Sequence, residues 1–166
     1  MQKKNLSLLV DNTSGVLSRV AGLFSRRGYN IDSLTVGVTA DPRFSRMTVT
    51  CSGDEQTMEQ IVKQLAKQED VRDIKVLEPG HRVVRELMLT KIKVHPEERQ
   101  AILSVVDIFR AKIVDVSPDS MIVELTGDTS KLEAFIRMLE GHEILELART
   151  GLTGLSRGSD DIRILD

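Results

Sequence analysis

Apolar residues recur at i, i+3, i+4 and i+7, the mark of one helix face, in four places along the chain. These are Leu17/Val20/Ala21/Phe24, Met58/Ile61/Val62/Leu65, Ile102/Val105/Val106/Phe109 and Leu132/Phe135/Ile136/Leu139. Between them lie shorter stretches with the apolar alternation of half-buried strands. They are residues 5–10, Leu34/Val36/Val38, Met47/Val49/Cys51, Ile74/Val76, Leu87/Leu89, 113–116, Met121/Val123/Leu125 and 144–148.

The pattern repeats. Every member of the second helix set returns 74 positions later in the fourth, and Met47/Val49/Cys51 returns at the same spacing as Met121/Val123/Leu125. A matching helix start signal lies between strand and helix in each copy, Ser52-Gly53-Asp54 and Thr126-Gly127-Asp128. Ser52 with Glu55 also fits a capping box. The first and third helix sets are 85 apart. The extra residues fall between helix and strand, where the first half carries a hairpin tip, Thr39-Ala40-Asp41-Pro42-Arg43.

Each half therefore reads strand, helix, strand, strand, helix, strand. That is the βαββαβ, ferredoxin-like unit of the α+β class, here twice in tandem. Glu78-Pro79-Gly80-His81-Arg82 interrupts both periods and marks the hinge. The predicted organisation is a first domain over 1–78, a linker over 79–83, a second domain over 84–158 and a tail over 159–166. A unit of roughly 75 residues buries only about 60–65% of its unfolded surface. Helices on one side leave a bare sheet face and open edge strands that need cover. A homodimer with its sheets joined side by side or face to face is expected; the alternative is a monomer whose halves cover each other.

Composition narrows the function classes. The chain has 166 residues, 23 Lys and Arg against 25 Asp and Glu, and 40% apolar residues. This is neither a disordered composition nor that of a nucleic-acid binder, because basic excess and stacking aromatics are both missing. No apolar run approaches the ~20 residues of a membrane span. Cys51 is alone, so there is no disulfide framework. No basic–apolar–small signal precedes the first strand. The expectation is a cytoplasmic protein that binds neither nucleic acid nor membrane.

Catalytic equipment is sparse. His81, His95 and His142 have no partners at metal-ligand spacing. Cys51 stands on the apolar alternation of a strand and reads as a small hydrophobe. No Walker loop, G-x-G-x-x-G or G-x-S-x-G occurs. The acids of Asp54-Glu55 and Glu97-Glu98 sit at helix starts and Arg26-Arg27 at a helix end, where the macrodipole accounts for them. No catalytic residue and no metal site is assigned.

One constellation points to a small ligand. Asp11-Asn12-Thr13-Ser14-Gly15-Val16-Leu17 leads into a helix N-terminus, whose free N–H groups suit an anion. Gly15 lets a ligand approach the backbone. Gly28-Tyr29-Asn30-Ile31 opens the next strand. A free amino acid needs donors for its carboxylate, acceptors for its ammonium and an apolar slot. The helix start supplies the first, the oxygens of Asn12 and Asn30 the second, and Leu17, Ile31 and Val36 the third. The plainer alternative is that Asn12, Thr13 or Ser14 caps the helix and Asn30 shapes a turn.

The run from Leu8 through Asp11-Asn12-Thr13-Ser14-Gly15-Val16-Leu17-Ser18-Arg19-Val20, then Gly22-Leu23-Phe24-Ser25-Arg26-Arg27-Gly28-Tyr29-Asn30-Ile31 to Val36, resembles the small regulatory subunit of acetolactate synthase (acetohydroxyacid synthase). Arg85-Glu86-Leu87-Met88-Leu89, Val114-Asp115-Val116, Lys131-Leu132-Glu133-Ala134-Phe135 and Ala148-Arg149-Thr150-Gly151 extend the likeness over about residues 3–158. The resemblance implies an N-terminal ACT domain, which binds amino acids, and a second ferredoxin-like domain. It implies a homodimer joined to a large catalytic subunit that holds thiamine diphosphate, FAD and Mg²⁺ and condenses pyruvate to acetolactate. It implies a chain with no cofactor of its own, which raises the large subunit's activity and confers feedback inhibition by valine or another branched-chain amino acid. The effector pocket so implied involves Asn12, Gly15, Val16, Leu17, Asn30, Ile31 and Gly37, between two ACT domains. Position 37 is glycine where a relative has alanine, a methyl-sized change in a slot. A free-standing amino-acid sensor without an enzyme partner is the alternative, and an enzyme in its own right a third class.

Overall fold

Leu6, Leu8 and Val10 are buried and alternate along a ten-residue strand, β1 (Gln2–Asp11). It begins a chain that the computed structural model describes over residues 2–159; of the predicted tail, 160–166 lie outside the described residues. The first half continues as α1 (Val16–Arg26), β2 (Asn30–Val38), β3 (Phe44–Gly53), α2 (Glu55–Ala66) and β4 (Val71–Val76). The second half repeats the order as β5 (Arg82–Lys93), α3 (Arg99–Phe109), β6 (Lys112–Ser117), β7 (Ser120–Gly127), α4 (Thr129–Met138) and β8 (Ile144–Arg149). Both halves are ferredoxin-like βαββαβ units with antiparallel sheets. Their strand orders, β2-β3-β1-β4 and β6-β7-β5-β8, are the same topology twice.

The repeat extends to the irregularities. In each half the second strand carries one extra residue against the third, Asp32 in β2 and Val114 in β6, where the register shifts. The last strand carries one against the first, Arg72 in β4 and Leu145 in β8. Such bulges bend a strand and raise its twist, so the two sheets are shaped alike.

In the first unit the helix-facing row is Leu6, Leu8 and Val10 with Met47, Val49 and Cys51, packed against Val16, Val20, Leu23 and Phe24 of α1 and Met58, Ile61 and Leu65 of α2. Burying each such large apolar side chain stabilises by about 1.5–3 kcal/mol. The α1 stripe is rotated from the expected one: Val16 is buried and Leu17 is 47% exposed. In the second unit the row is Met88 and Ile92 with Met121, Val123 and Leu125, against Ile102, Val105, Val106, Leu132, Phe135 and Leu139. The expected Leu87/Leu89 row is off by one position. Met88, Thr90 and Ile92 turn inward, and Leu89 is exposed on the other face, as the period of two demands.

Asp54 caps α2 by accepting from the Thr57 N–H at 2.7 Å, and Asp128 caps α4 by accepting from the Lys131 N–H at 3.0 Å. These hydrogen bonds hold both carboxyls below the usual carboxylate range. The predicted Ser52–Glu55 capping box does not form. Ser52 still belongs to β3, and its hydroxyl donates to the Asp32 carboxylate.

The sequence did not foretell the last strand, β9 (Thr153–Ser156). The described residues divide into two compact units, one of residues 2–83 together with 152–159, the other of residues 84–151. The returning strand pairs with β5, and strands of the first sheet hold the segment as well. Thr35 of β2 donates its hydroxyl to the Leu152 carbonyl at 3.1 Å, the Gly154 N–H donates to the Thr48 hydroxyl of β3 at 3.4 Å, and the Lys75 ammonium of β4 donates to Ser156 Oγ at 3.1 Å. Asn5, Ser7, Leu9, Thr48 and Thr50, on the face away from the helices, are all buried. Thr50 donates to Asn5 Oδ1 at 2.6 Å.

Candidate functional site

Gly15 occupies the N-cap position of α1 with φ of 86°, and no side chain accepts from the first turn. A left-handed residue there favours glycine. None of Asn12, Thr13 and Ser14 caps the helix. Asn12 is turned to the β2–β3 tip instead: its Nδ2 donates to the Pro42 carbonyl at 2.9 Å and its backbone N–H to the Arg43 carbonyl at 2.8 Å. The open amide groups at this helix start keep the partial positive charge that attracts anions.

Charged groups fix the loop from below. Arg72 forks onto the Asp11 carboxylate at 2.6 and 2.9 Å, and the Asp11 N–H donates to the Asp70 carbonyl at 2.9 Å. Arg19, one turn into α1, donates through Nε to Asp70 at 2.5 Å and through Nη2 to the Ser14 carbonyl at 3.4 Å. The bond from Arg19 holds the Asp70 carboxyl below its usual range, and the same bond raises the Arg19 pKa. Arg19, Asp70 and Arg72 escaped the sequence reading. Arg19 and Asp70 stand 51 positions apart, and no spacing rule links them.

The remaining candidates fall into two groups. Asn12, Gly15, Val16, Leu17 and Gly37 gather at the end of the sheet where β1 and β2 finish. Gly37 lies opposite Arg46 in β3, and a Cβ there would meet nothing within 4 Å. Leu17 and Val36 are each 47% exposed. Val16 is buried in the core, so its backbone rather than its side chain faces the loop. Asn30 and Ile31 lie at the other end. Asn30 pairs with Ser52, which pairs with Lys3 near the start of β1. β2 runs parallel to β1, so Asn30 stands roughly 25 Å from the Asn12 end at ~3.3 Å per residue. Asn30 Nδ2 donates to Asp32 Oδ1 at 2.7 Å, and Ile31 packs against the core. One chain therefore does not bring Asn12 and Asn30 together.

β2 is an edge strand of its sheet, with Val36 and Val38 exposed. Antiparallel pairing of two such edges would place the start of one β2 beside the end of the other. Asn30 of a second copy would then approach the Asn12–Gly15 loop of the first.

Among the described residues, no three His, Cys, Asp or Glu side chains cluster to hold a metal ion, and no helix is long and apolar enough to cross a membrane. Cys51 is buried beside Met58 Sδ at 3.8 Å, and desolvation pushes its thiol up to about 11. A second polar group, Arg26, Arg27, Tyr29 and Gln60, lines an open pocket of about 530 Å³ at the far end of α1. There Tyr29 donates to Gln60 Oε1 at 3.3 Å and Arg27 to Gln64 Oε1 at 3.0 Å.

Residues 6–73 match the family described as AHAS small subunit-like ACT domain, and residues 85–158 match that described as small subunit of acetolactate synthase. The chain is 50% identical over 155 residues to a probable acetolactate synthase small subunit of Methanothermobacter thermautotrophicus, covering 93% of this chain and 92% of that one. It is 48% identical over 162 residues to the acetolactate synthase isozyme 3 small subunit of Escherichia coli, covering 97% and 99%. The crystal structure of the small subunit from Thermotoga maritima superposes with a TM-score of 0.89 at 42% identity, covering 96% of this chain and 100% of that one.

Proposed function

The chain belongs to the acetolactate synthase small subunits, and on that premise we propose that it binds the large catalytic subunit, raises its activity and makes it sensitive to valine or another branched-chain amino acid. Thiamine diphosphate, FAD and Mg²⁺ belong to the large subunit in this reading, and the chemistry of pyruvate condensation takes place there. The small subunit contributes no reacting group.

The observation that carries the effector reading is the uncapped start of α1. Its first-turn N–H groups, Gly15 and the cation of Arg19 next to it form a receptor for a carboxylate. Asn12, and Asn30 of a second copy, offer side-chain oxygens to an ammonium. Leu17 and Val36 offer exposed apolar surface to a branched side chain. The separation of roughly 25 Å within one chain supports a site completed by two. Effector binding and the homodimer are then one feature, and cytoplasmic residence follows from the partner.

An effector shifts the enzyme only through different affinities for the active and less active states, with a coupling of about 1–3 kcal/mol in the usual range. The test is acetolactate formation by the matching large subunit, with and without this chain, and with and without valine. Activation that valine reverses is expected. Activation untouched by valine keeps the partnership and means that the pocket is retuned to another branched-chain amino acid or is silent. No activation, with no co-purification of the two chains, leaves a free-standing sensor.

A further inference from the structure

At the end of the first unit opposite the Asn12 loop, a cavity of about 360 Å³ opens between the start of β1 and the end of β4. It is lined by Gln2, Lys3, Lys4, Val76–Leu77, Glu78–Pro79 and Arg82. That volume lies at the lower end of the ~300–1,000 Å³ of small-molecule sites.

The wall is fixed. The Leu77 N–H donates to the Asn5 carbonyl at 2.8 Å, and the Arg82 guanidinium donates through Nη1 to the Leu77 carbonyl at 2.9 Å. A turn closed by the His81 N–H on the Glu78 carbonyl at 3.1 Å, with Gly80 at φ of 87°, forms the rim. The charge balance is one-sided. Three cations line the cavity against one acid, Glu78, and none of Lys3, Lys4 and Arg82 has an ion-pair partner among the described residues. The bond to Leu77 holds Arg82 in place and leaves its other N–H donors for a ligand.

We propose that this cavity is a binding site for a small, multiply charged anion, a phosphorylated or polycarboxylate metabolite, held by Arg82 and Lys4, with Lys3, on the opposite face of β1, adding charge from the rim. The fixed guanidinium supplies the geometry for two anionic oxygens. The lysines add charge that a monoanion would not need. Val76 and Pro79 give the ligand's carbon skeleton an apolar wall. The site is separate from the Asn12–Gly15 loop and stands whether or not that loop binds an amino acid.

The test is isothermal titration of the full chain with inorganic pyrophosphate and with citrate, at low and at physiological ionic strength. Saturable binding at one site per chain is expected, weakening as salt rises. Lys4→Gln, whose side chain holds no other group, should weaken it at least tenfold. Arg82→Gln should do the same, and Lys112→Gln, a lysine of the second unit, should leave it unchanged. Binding of pyrophosphate alone assigns the site to phosphorylated ligands, and binding of citrate as well to polyanions generally. No saturable binding of either probe, or equal loss in Lys4→Gln and Lys112→Gln, overturns the proposal.

Discussion

The guanidinium of Arg19 stands where a Cβ on Gly15 would point, with Nη1 2.7 Å from that position. The side chain that replaces a capping residue at the start of α1 is thus a cation, held by Asp70 from the end of the next helix–strand loop. A substitution at Gly15 has two separate effects, one on the backbone and one on the charge at the helix start. With φ of 86°, Gly15→Ala costs about 1–2 kcal/mol for the left-handed conformation, measurable by urea unfolding. Gly15→Asp pays the same strain and adds a carboxylate that pairs with Arg19 and repels an effector carboxylate. Valine inhibition of the reconstituted enzyme should vanish while activation persists. Undiminished inhibition in Gly15→Asp would sink the site assignment.

Thr90 is fully buried in the helix-facing row of β5, and its hydroxyl has no hydrogen-bond partner. Valine has nearly the same shape without the oxygen. Thr90→Val should raise the stability of the second unit by about 1 kcal/mol, the cost of an unsatisfied buried group. A denaturation midpoint that falls instead would show that the hydroxyl is satisfied by water.

Arg149 at the end of β8 forks onto Glu86 at 2.8 and 3.0 Å, and its third nitrogen reaches Glu133 of α4 at 2.8 Å. Glu86 is 6% exposed and also accepts from the Gly151 N–H at 3.3 Å. Hydrogen bonding to Glu86 raises the Arg149 pKa far above the working range. Glu86→Ala leaves a half-buried guanidinium without its main partner and should cost about 3–5 kcal/mol. Glu133→Ala removes a more exposed arm and should cost under ~1 kcal/mol. Equal losses in the two variants would refute this ranking.

The Asp54 and Asp128 carboxyls are held below their usual range by the N–H groups they cap. A carboxyl with a lowered folded pKa stabilises fully above its unfolded value, near ~3.9, and loses that contribution as pH falls through the folded value. Asn caps equally well without titrating. Asp54→Asn/Asp128→Asn should therefore show a smaller fall in Tm than the parent between pH 6 and 2. Identical profiles would mean that other groups govern acid unfolding.

The Cys51 thiol, buried and pushed up to about 11, should react with a thiol reagent only as fast as the first unit opens. Labelling at pH 8 should accelerate by orders of magnitude in urea. Fast labelling of the native protein would show that β3 frays.

The repeat was legible because helix stripes and strand alternation are local patterns with fixed periods, and both Asp N-caps sit 74 positions apart. Boundaries and faces were less so. Whether Leu87 or Met88 turns inward depends on one residue of register, and both are apolar. The loop at Asn12–Gly15 was readable as a helix start with a glycine. Its anchoring by Arg19, Asp70 and Arg72 was not, because those contacts close across 51 and 61 positions. β9 stayed hidden for a similar reason: Thr153–Ser156 has no apolar alternation, and what makes it a strand is the chain it lies on.

Leu152 to Ser156 completes the first unit with residues made only after the second unit. On the ribosome the chain emerges at about 5–20 residues per second, so the first sheet waits several seconds, through the synthesis of the entire second unit, for its final hydrogen bonds to Thr35, Thr48 and Lys75. A gene cut after residue 83 would encode a domain short of its own closing segment. Deletion analysis that treats the two halves as separable cassettes would therefore report on a first domain that was never whole.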